Sequence, residues 1–432
     1  MSEIYDVIVV GGGAAGLWAA GTAAERGLSV RLVEKNRKLG VKILMSGGTR
    51  CNVTHNCDVR GILDAFGTEQ GRFLKHSVHQ LPPEHVVAML DSLGVPTKVE
   101  DTGKVFPVSD RAIDVRDALV RRAEAAGAQL QSGTAVVDID HAADGWSVHL
   151  SEPGQAQSKS KSEETIHSRQ LLICCGGLSY SGCGTTGDGY AWAKKFGHEL
   201  VATAPALTPL VCSEPWVHEL SGLTLPDASA RISVEGVKLA KDPRATSRGG
   251  VLWTHFGFSG PVPMNVSRAV TNSQSEGKRT TMSLDLAPDL KHEQIEMELS
   301  SSAGGRKNVG SVVQQFAPKN LARALLNRAN VNSEVTLAEL PKKSRQKLAA
   351  DIKGILLPIE GTRGYAKAEV TQGGVNLSEV NTRTLESRIV PSLYFAGEIL
   401  NIDGPIGGYN FQAAFATGQA AAVAMKPRGV DP

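Results

Sequence analysis

Residues 5–34 read YDVIVVGGGAAGLWAAGTAAERGLSVRLVE: an apolar run, three glycines, a stretch of small residues and a second apolar run that ends on an acid. This order predicts strand, tight turn, helix and strand, the unit that opens a doubly wound α/β domain. Gly11, Gly13 and Gly16 match G-x-G-x-x-G. The first glycine permits the turn, the second lets the backbone approach a pyrophosphate, and the third lets the helix pack on the strand. The stretch therefore predicts a dinucleotide site.

The two ends of this unit predict how the dinucleotide is held. The helix begins near Gly13, so the N–H groups of its first turn, at Ala14 and Ala15, point at the phosphates. Glu34 lies 18 residues beyond Gly16, at a strand end where a carboxylate accepts hydrogen bonds from ribose hydroxyls and disfavours a 2′-phosphate. The alternative is a glycine-rich structural turn, which leaves the position of Glu34 unexplained.

Length and composition bound the class of protein. The chain of 432 residues has room for two or three domains, and its net charge of +2 carries no sign of a nucleic-acid partner. No apolar run approaches the length of a membrane span, and no leader-like segment opens the chain. Six cysteines in so long a chain are not a secreted disulfide framework. We expect a soluble, cytoplasmic protein with a small-molecule substrate, without a metal, nucleic-acid or membrane partner.

Changes of pattern along the chain predict its domain organisation. Short β-like segments follow the first α/β region, helical periodicity rich in lysine and arginine comes next, and the β pattern returns before a final strand, glycine turn and helix. The two ends of the chain thus form one discontinuous doubly wound domain that is interrupted by an inserted β-domain. The predicted segments are 1–198 (first part of the nucleotide domain), 199–286 (β-domain), 287–352 (helical insert), 353–368 (return to the β-domain) and 369–432 (second part of the nucleotide domain).

The segment after Glu34, residues 35–57, is predicted to be a polar loop outside the core. Lys35 and Lys42 could face phosphate. Further donors in this loop could contact a cofactor ring or its ribityl chain; they are Ser46, Gly47, Gly48, Arg50 and Asn52.

The end of the chain predicts the second half of the cofactor site. An apolar strand reaches Gly397 and Glu398, and Gly407 and Gly408 precede a helix that begins near Asn410. The acid can accept from a sugar-alcohol hydroxyl, and the helix N-terminus stabilises the negative charge of a reduced flavin. ADP at one end and flavin at the other fit FAD better than NAD. The alternative is two ordinary helix ends.

A second G-x-G-x-x-G, at Gly182, Gly184 and Gly187, raises the alternative of a separate NAD(P)H site. The preceding strand ends well before Gly182, and no acid or arginine closes the segment that follows the helix. We therefore do not predict a second dinucleotide unit there.

The chain resembles the BaiN/YhiN-like flavoproteins, which include aminoacetone oxidases and bile-acid ene reductases. The resemblance covers nearly the whole chain and is carried by GGGAAG (11–16), KILMSGGTRCNVTH (42–55), GKVFPVSDRAIDV (103–115), CGGLSYSGCGTTGDGY (175–190), THFGFSGP (254–261), VTQGGV (370–375), TLESR (384–388) and LYFAGEILNIDGPIGGYNFQAAFATG (393–418). It implies FAD and a domain of glutathione-reductase type, interrupted by a β-barrel that carries a helical insert.

The resemblance also implies site residues. It places the backbone near Val136 against adenine, includes Gly176 in a shared glycine motif, and sets a group of side chains along the ribityl-flavin end: Lys42, Ser46, Glu398, Asp403, Asn410 and Phe411. The sequence departs from the family's usual pattern at Thr49, where glycine is common, at His55, where asparagine is common, and at Cys174–Cys175, where Ala-Thr is usual. The first departure puts transfer of any one member's substrate in doubt.

The leading function is an FAD-dependent oxidoreductase that transfers hydride through flavin N5 to or from a small organic substrate, with NAD(P)H as a candidate electron donor. Candidate catalytic side chains are Tyr180, His255 and Tyr409. One alternative is a flavin disulfide reductase that uses Cys51 and Cys57, although their C-x₅-C spacing differs from the usual C-x₄-C. Another is a flavin-carrying redox sensor whose basic helical insert binds a partner.

Overall fold

The structure, a computed structural model, describes residues 4–143, 145–151, 164–237, 243–300, 302 and 304–427. Its strands are β1 (Ile4–Val10), β2 (Val30–Glu34), β3 (Thr54–His55), β4 (Thr97–Val99), β5 (Lys104–Pro107), β6 (Gln129–Ser132), β7 (Ala135–Ala142), β8 (Gly145–Ser151), β9 (Glu164–Ile173), β10 (Leu200–Ala206), β11 (Leu210–Val211), β12 (Thr224–Val234), β13 (Thr246–Thr254), β14 (Gly257–Ser259), β15 (Thr280–Asp285), β16 (Ile355–Ile359), β17 (Gly361–Thr362), β18 (Val370–Val375) and β19 (Leu393–Phe395).

The helices of the described residues are α1 (Ala14–Glu25), α2 (Val41–Met45), α3 (Val59–Gln80), α4 (Pro83–Ser92), α5 (Ala112–Ala125), α6 (Asp188–Lys195), α7 (Pro215–Glu219), α8 (Pro261–Ser275), α9 (His292–Glu298), α10 (Val309–Val313), α11 (Lys319–Arg328), α12 (Lys342–Gly354) and α13 (Tyr409–Ala424). Two compact units contain them. The first is made of residues 1–204 and 369–432, and the second of residues 205–368.

The first unit is built on a sheet that joins both ends of the chain. Its order is β6-β2-β1-β9-β8-β7, and β19 pairs with the carboxyl half of β9. The strands β6, β2, β1, β9 and β19 are parallel to one another, whereas β8 is antiparallel to both of its neighbours, β9 and β7. The apolar run Val7–Val10 is buried throughout, as expected of a parallel strand covered on both faces. The predicted α/β fold class with a discontinuous doubly wound domain is confirmed.

Small residues let the two end helices pack closely. A Cβ added at Gly418 of α13 would lie 2.5 Å from the backbone oxygen of Ala15 in α1, a distance that no real Cβ tolerates. Gly418 is therefore required for the contact between α1 and α13. This contact draws the loop before α13 towards the glycine turn at the start of α1.

The second unit holds a sheet of order β16-β15-β12-β13-β14-β11-β17. Its two terminal strands, β16 and β17, are separated along the chain only by Glu360. The N–H of Glu360 donates to the carbonyl oxygen of Val211 in β11 at 3.0 Å. One extended stretch of chain thus pairs with both edges, and the sheet closes into the expected β-barrel. Helices α9 to α12 lie between β15 and β16 and bury Leu321, Leu325 and Leu348 in the core of the same unit.

Residues 35–57 differ from the polar loop that the sequence predicts. They include α2 and a short 3₁₀ turn over 46–49, and residues 51–54 are buried. The prediction was wrong because two apolar side chains, Cys51 and Val53, enter the core. Asn52 between them is satisfied by accepting the N–H of Val105 at 3.2 Å.

The second glycine motif does not form a dinucleotide unit. It connects β9 to α6, but the strand after α6, β10, pairs with β18 in a separate two-stranded sheet rather than beside β9. A βαβ unit needs both of its strands in one sheet. The motif therefore serves as a connecting loop.

Candidate cofactor site

The glycine turn after β1 shows which glycines serve packing and which face open space. A Cβ added at Gly11 would lie 2.8 Å from the carbonyl oxygen of Cys174, and a Cβ added at Gly16 would lie 1.9 Å from the carbonyl oxygen of Gly11. At Gly13 an added Cβ would meet nothing within 4 Å. The first and third glycines of the motif are thus required by the protein itself, while the second borders the space that a pyrophosphate would fill.

Helix α1 presents an uncapped N-terminus beside that space. Gly13 is its N-cap, no side chain caps it, and no acid lies in its first turn. Its first helical hydrogen bond runs from the N–H of Leu17 to the carbonyl oxygen of Gly13 at 2.9 Å. The N–H groups of Ala14, Ala15 and Gly16 precede that bond, so they are free of intrahelical partners and suited to an anion.

Glu34 closes the turn from the end of β2. Its Oε2 accepts the N–H of Gly12 at 2.8 Å, and its Oε1 accepts the N–H and the side-chain amide of Asn36, each at 2.8 Å. Three donors hold the carboxylate in one orientation. A carboxylate has about four acceptor positions, so one remains for a ribose hydroxyl. Val136, expected near adenine, is half-buried in β7 and pairs with Leu150.

Lys35 and Arg50 are paired with acids of the protein. The ammonium of Lys35 lies 2.5 Å from Asp188. The guanidinium of Arg50 bonds Asp110 at 2.9 Å, also pairs with Glu100, and stacks 3.9 Å from the ring centre of Phe106. Hydrogen bonding to Glu100 raises the pKa of Arg50. Both cations are therefore already neutralised, and their assignment to the cofactor stays a prediction.

Four residues from separate segments form a polar cluster that we call the Lys42 cluster: Lys42, Ser179, Thr371 and Glu398. The ammonium of Lys42 lies 2.5 Å from Oε2 of Glu398 and 2.7 Å from Oγ of Ser179. Ser179 donates to Oε1 of Glu398 at 2.5 Å, and the N–H of Thr371 donates to the same oxygen at 3.0 Å. Sequence reasoning missed Ser179 and Thr371; the signal was their place in the shared motifs at 175–190 and 370–375.

The N-terminus of α13 is the second uncapped helix end. Gly408 is its N-cap with φ +92°, and a Cβ there would lie 2.3 Å from the carbonyl oxygen of Thr54. The ring of Tyr409 stacks on His55, with centroids 4.7 Å apart and planes 19° apart, and Nδ1 of His55 lies 3.0 Å from the carbonyl oxygen of Gly407. Burial, and secondarily the charge of Cys57, raises the pKa of Tyr409 to about 12. The phenol therefore stays protonated at neutral pH.

Two of the expected flavin-side residues have structural partners. The amide of Asn410 accepts the N–H of Gly404 at 2.8 Å and donates to its carbonyl oxygen at 2.9 Å. Asp403 is buried and accepts from the amide of Gln70 at 2.9 Å. Both side chains shape the 404–408 turn, so a cofactor role for them stays a prediction.

The remaining expected residues are placed as follows. Gly397 has φ +75°, and a Cβ added there would lie 3.0 Å from the Cβ of Ala15. Phe411 is half-buried against Phe415, and Ser46 donates to the carbonyl oxygen of Ile43 at 2.7 Å. The backbone has a positive φ at three further glycines, which are Gly47 (+55°), Gly48 (+67°) and Gly176 (+77°). The close approach at Gly397 sets Glu398 beside the start of α1. The structure thus brings Glu398 and the glycine turn together in the first unit.

The three candidate catalytic residues fall in different places. Tyr180 follows Ser179 of the Lys42 cluster and has a left-handed φ of +58°. Tyr409 lies at the start of α13, in the same unit. His255 belongs to the second unit, where it is exposed and meets Phe256 edge-on at 5.1 Å.

The cysteine pair is poorly suited to thiol chemistry. Cys51 is fully buried, and burial raises its pKa to about 12. Burial and the charge of Asp58 also raise the pKa of Cys57. Because the thiolate is the reactive form, this environment disfavours a disulfide reductase that uses these two residues.

The part of the chain that the structure describes contains no group of three or more His, Cys, Asp or Glu side chains arranged to hold a metal ion. None of its helices combines the length and apolarity that crossing a membrane requires.

Comparisons with known proteins agree with this geometry. The model of the HI0933-like protein Rossmann domain matches residues 5–424. The ribosomal RNA dihydrouridine synthase of Escherichia coli is 30% identical over 420 residues, which are 97% of this chain and 98% of that protein. The 3-dehydro-bile acid delta(4,6)-reductase of Clostridium scindens is 29% identical over 428 residues, again 97% and 98% of the two chains. A ribosomal RNA dihydrouridine synthase from Haemophilus influenzae is 28% identical over 432 residues, 98% of this chain and 99% of that one.

Solved structures show the same fold at low identity. The 3-ketosteroid delta1-dehydrogenase of Sterolibacterium denitrificans superposes with a TM-score of 0.52 at 14% identity, over 98% of this chain and 99% of that chain. A variant of the quinol fumarate reductase of E. coli reaches 0.51 at 16% identity, over 98% and 70%.

Proposed function

Because this chain belongs to the HI0933-like family of FAD-dependent oxidoreductases, we propose that it reduces uridine in ribosomal RNA to dihydrouridine. The resemblance to the BaiN/YhiN-like flavoproteins is thereby confirmed. The observation that carries the proposal is the 30% identity to the E. coli ribosomal RNA dihydrouridine synthase, which extends over 97% of this chain and 98% of that one. The similar relative from H. influenzae bears the same name.

The names of the relatives share one chemistry. Dihydrouridine is uridine whose C5=C6 bond is saturated, and that bond is conjugated with the C4 carbonyl. A 3-dehydro bile acid with a double bond at position 4 has a C=C conjugated with its C3 carbonyl. Both reductions add a hydride to the far carbon of the double bond and a proton to the near one. We therefore propose a scaffold for reducing carbonyl-conjugated C=C bonds.

The residues of the first unit fit FAD. When bound, FAD supplies the hydride through N5 of its reduced ring. The free N–H groups of α1 and the open space at Gly13 suit the pyrophosphate, and Glu34 suits the ribose. The uncapped start of α13 offers positive partial charge for the negative edge of a reduced ring. We propose NADH or NADPH as a transient electron donor.

The proton has a candidate donor. Tyr409 keeps its proton at neutral pH, as an ordinary phenol does, and burial raises its pKa further, to about 12. Its ring is fixed by stacking on His55 at 4.7 Å. We assign it the role of giving a proton to the substrate carbon beside the carbonyl. Uridine C5 is that carbon in the RNA reaction.

The proposal is tested on RNA directly. Ribosomal RNA from a strain without the gene is digested to nucleosides and measured by mass spectrometry, beside RNA from the same strain complemented with the gene. We expect dihydrouridine only in the complemented strain, and we expect the purified FAD-loaded protein with NADH or NADPH to form it in transcribed ribosomal RNA. Equal dihydrouridine in both strains, with no product in vitro, would refute the proposal.

A second candidate is the reduction of a small carbonyl-conjugated alkene. It is favoured by the 29% identity to the C. scindens reductase over nearly all of both chains. The same protein preparation is assayed with a 3-oxo-4-ene steroid under anaerobic conditions. Turnover of the steroid with no product in RNA would select this candidate.

A further inference from the structure

The charge of the chain is unevenly distributed between its two units. Residues 205–368 contain 21 lysines and arginines against 15 aspartates and glutamates, whereas the rest of the chain contains 25 against 29. The second unit is thus net positive by six charges and the first net negative by four. The near-neutral total conceals this asymmetry, and an uneven charge between two parts of a chain suggests binding to a nucleic acid or a membrane surface.

Half of the excess lies on the helical insert, residues 287–352, which contain ten lysines and arginines against seven acids, and the positive charge is concentrated after its first helix. Residues 304–350 contain nine lysines and arginines against two acids. Three of these cations, Arg328, Arg345 and Lys347, have acidic partners at 3.3–3.9 Å. The other six are exposed and make no ion pair among the described residues; we call them the basic patch: Arg306, Lys307, Lys319, Arg323, Lys342 and Lys343.

The cations lie on three segments of the insert: α11, the start of α12 and residues 306–307. Lys319 and Arg323 are four residues apart in α11 and share one face of it. The start of α12, which carries Lys342 and Lys343, is tied to the end of α11 because Ser344 donates to the carbonyl oxygen of Ala329 at 3.4 Å.

The remaining two cations are tied to the same loop. The N–H of Leu337 donates to the carbonyl oxygen of Lys307 at 2.9 Å, and the N–H of Ala338 donates to that of Gly305 at 3.1 Å. Arg306 and Lys307 therefore lie beside the segment that leads directly into α12. Residues 306–307 and 342–343 are thus both tied to residues 329–341, the segment that joins α11 to α12.

No acidic side chain of the described residues offsets the positive charge of the basic patch by an ion pair. Like charges that share a helix face destabilise it, and the insert is held instead by its buried leucines, Leu321, Leu325 and Leu348. A chain of phosphates would remove the repulsion and gain entropy from released counterions. Lysine and arginine on helix ends and faces suit phosphate oxygens without selecting a base sequence.

We propose that the basic patch binds the phosphate backbone of the ribosomal RNA substrate. This rests on the proposed reduction of RNA uridine and adds a binding surface on the second unit, outside the residues assigned to FAD. The patch supplies affinity, while the choice of uridine belongs to the reaction site. Its loss should therefore raise the KM for RNA and leave kcat unchanged.

The test replaces four members of the patch by glutamine: Lys319→Gln, Arg323→Gln, Lys342→Gln and Lys343→Gln together. The matched control removes four exposed cations of the first unit that make no ion pair with other described residues: Arg72→Gln, Arg121→Gln, Arg169→Gln and Lys194→Gln together. Both variants lose the same charge. Binding to transcribed ribosomal RNA is measured against salt concentration, and the visible spectrum of the bound FAD checks that each variant is folded.

For the patch variant we expect affinity at about 0.1 M salt to fall on the order of 100-fold, and the slope of log K against log salt to shrink by about 3. The control should match the unmodified protein. Equal losses in both variants, or no loss in either, would overturn the proposal. So would patch-dependent binding to vesicles of anionic phospholipid without binding to RNA.

The outcomes separate this proposal from the proposed function. RNA binding that depends on the patch, without any dihydrouridine, would keep the surface and refute the reaction. Dihydrouridine formed with the same KM by the patch variant and the control would keep the reaction and refute the surface. Absence of both binding and product would refute both.

Discussion

The ammonium of Lys42 lies 2.5 Å from the carboxylate of Glu398, 356 residues further along the chain. Both side chains are sheltered, with 28% and 18% of their surfaces exposed. Ser179 and the N–H of Thr371 complete the hydrogen bonds of the carboxylate. Glu398, in the turn that follows β19, therefore contacts three other segments: α2, the loop after β9 and the start of β18.

We expect this pair to be strongly coupled. In a double-mutant cycle with Lys42→Met and Glu398→Gln, the coupling in the free energy of unfolding should be about 1–2 kcal/mol, because a sheltered charge-assisted hydrogen bond exceeds an exposed one. The cycle is measured by urea unfolding. The exposed pair Arg60 and Asp64, 3.6 Å apart on one helix, is the control and should couple by less than about 0.5 kcal/mol. Similar coupling in the two cycles would contradict this expectation.

The glycine motif should separate folding from cofactor binding. Gly13→Ala adds a Cβ with no protein atom within 4 Å, so the apoprotein should keep its stability while its affinity for FAD falls. Gly16→Ala sets a Cβ 1.9 Å from the oxygen of Gly11 and should cost about 3 kcal/mol or more. Thermal unfolding of the apoproteins and FAD titration measure both. Normal FAD affinity in Gly13→Ala would refute the assigned pyrophosphate position.

Thr49 adopts a left-handed φ of +70°, which is costly for a β-branched residue. Thr49→Gly should therefore stabilise the protein by about 1 kcal/mol. The neighbouring change Gly48→Ala, at φ +67° with open space around it, should destabilise by a similar amount. Urea unfolding of the two variants should thus give opposite signs. Destabilisation by Thr49→Gly would show that the threonine side chain makes a contact worth more than the strain.

His198 should make stability depend on pH. Its side chain has no exposed surface, and burial lowers its pKa even though Glu379 opposes the shift. The unfolded state therefore binds the proton more readily, so the stability contributed by neutral His198 is complete above the unfolded pKa, about 6.5, and is lost as the pH falls. The slope is at most about 1.4 kcal/mol per pH unit. His198→Gln should flatten the decline in urea midpoint between about pH 7.5 and 5.5; an unchanged slope would contradict it.

Tyr409→Phe keeps the ring that stacks on His55 and removes only the hydroxyl. If that hydroxyl gives the proton, turnover should fall roughly 10–100-fold, while bleaching of the flavin by its electron donor stays unchanged. Because the pKa of Tyr409 is about 12, the activity of the unmodified protein should not fall between neutral pH and moderately alkaline pH through loss of this proton. Tyr180→Phe is the comparison, and a larger loss in that variant would transfer the role.

The sequence alone was sufficient for features that depend on local pattern. The run Val7–Val10, the spacing of Gly11, Gly13 and Gly16, and the acid at Glu34 specified a strand, a turn and a helix start, because each needs only neighbours within about one supersecondary unit. The fold class and the family followed from the same kind of pattern repeated at the end of the chain. Where local composition was the only guide, as for residues 35–57, the prediction of a loop outside the core was wrong.

Tertiary structure decided which distant groups meet. No pattern near Lys42 indicates that its partner is Glu398, or that Ser179 and Thr371 share that carboxylate, because the contact is created by four segments that are far apart in the sequence. It likewise decided that Arg50 pairs with Glu100 and Asp110. The basic patch is visible in composition only as scattered cations; the ties between the segments that carry them depend on how α11, α12 and the loop at 304–308 pack. Side-chain chemistry is local to the sequence, whereas the electrostatic environment that directs it is a property of the fold.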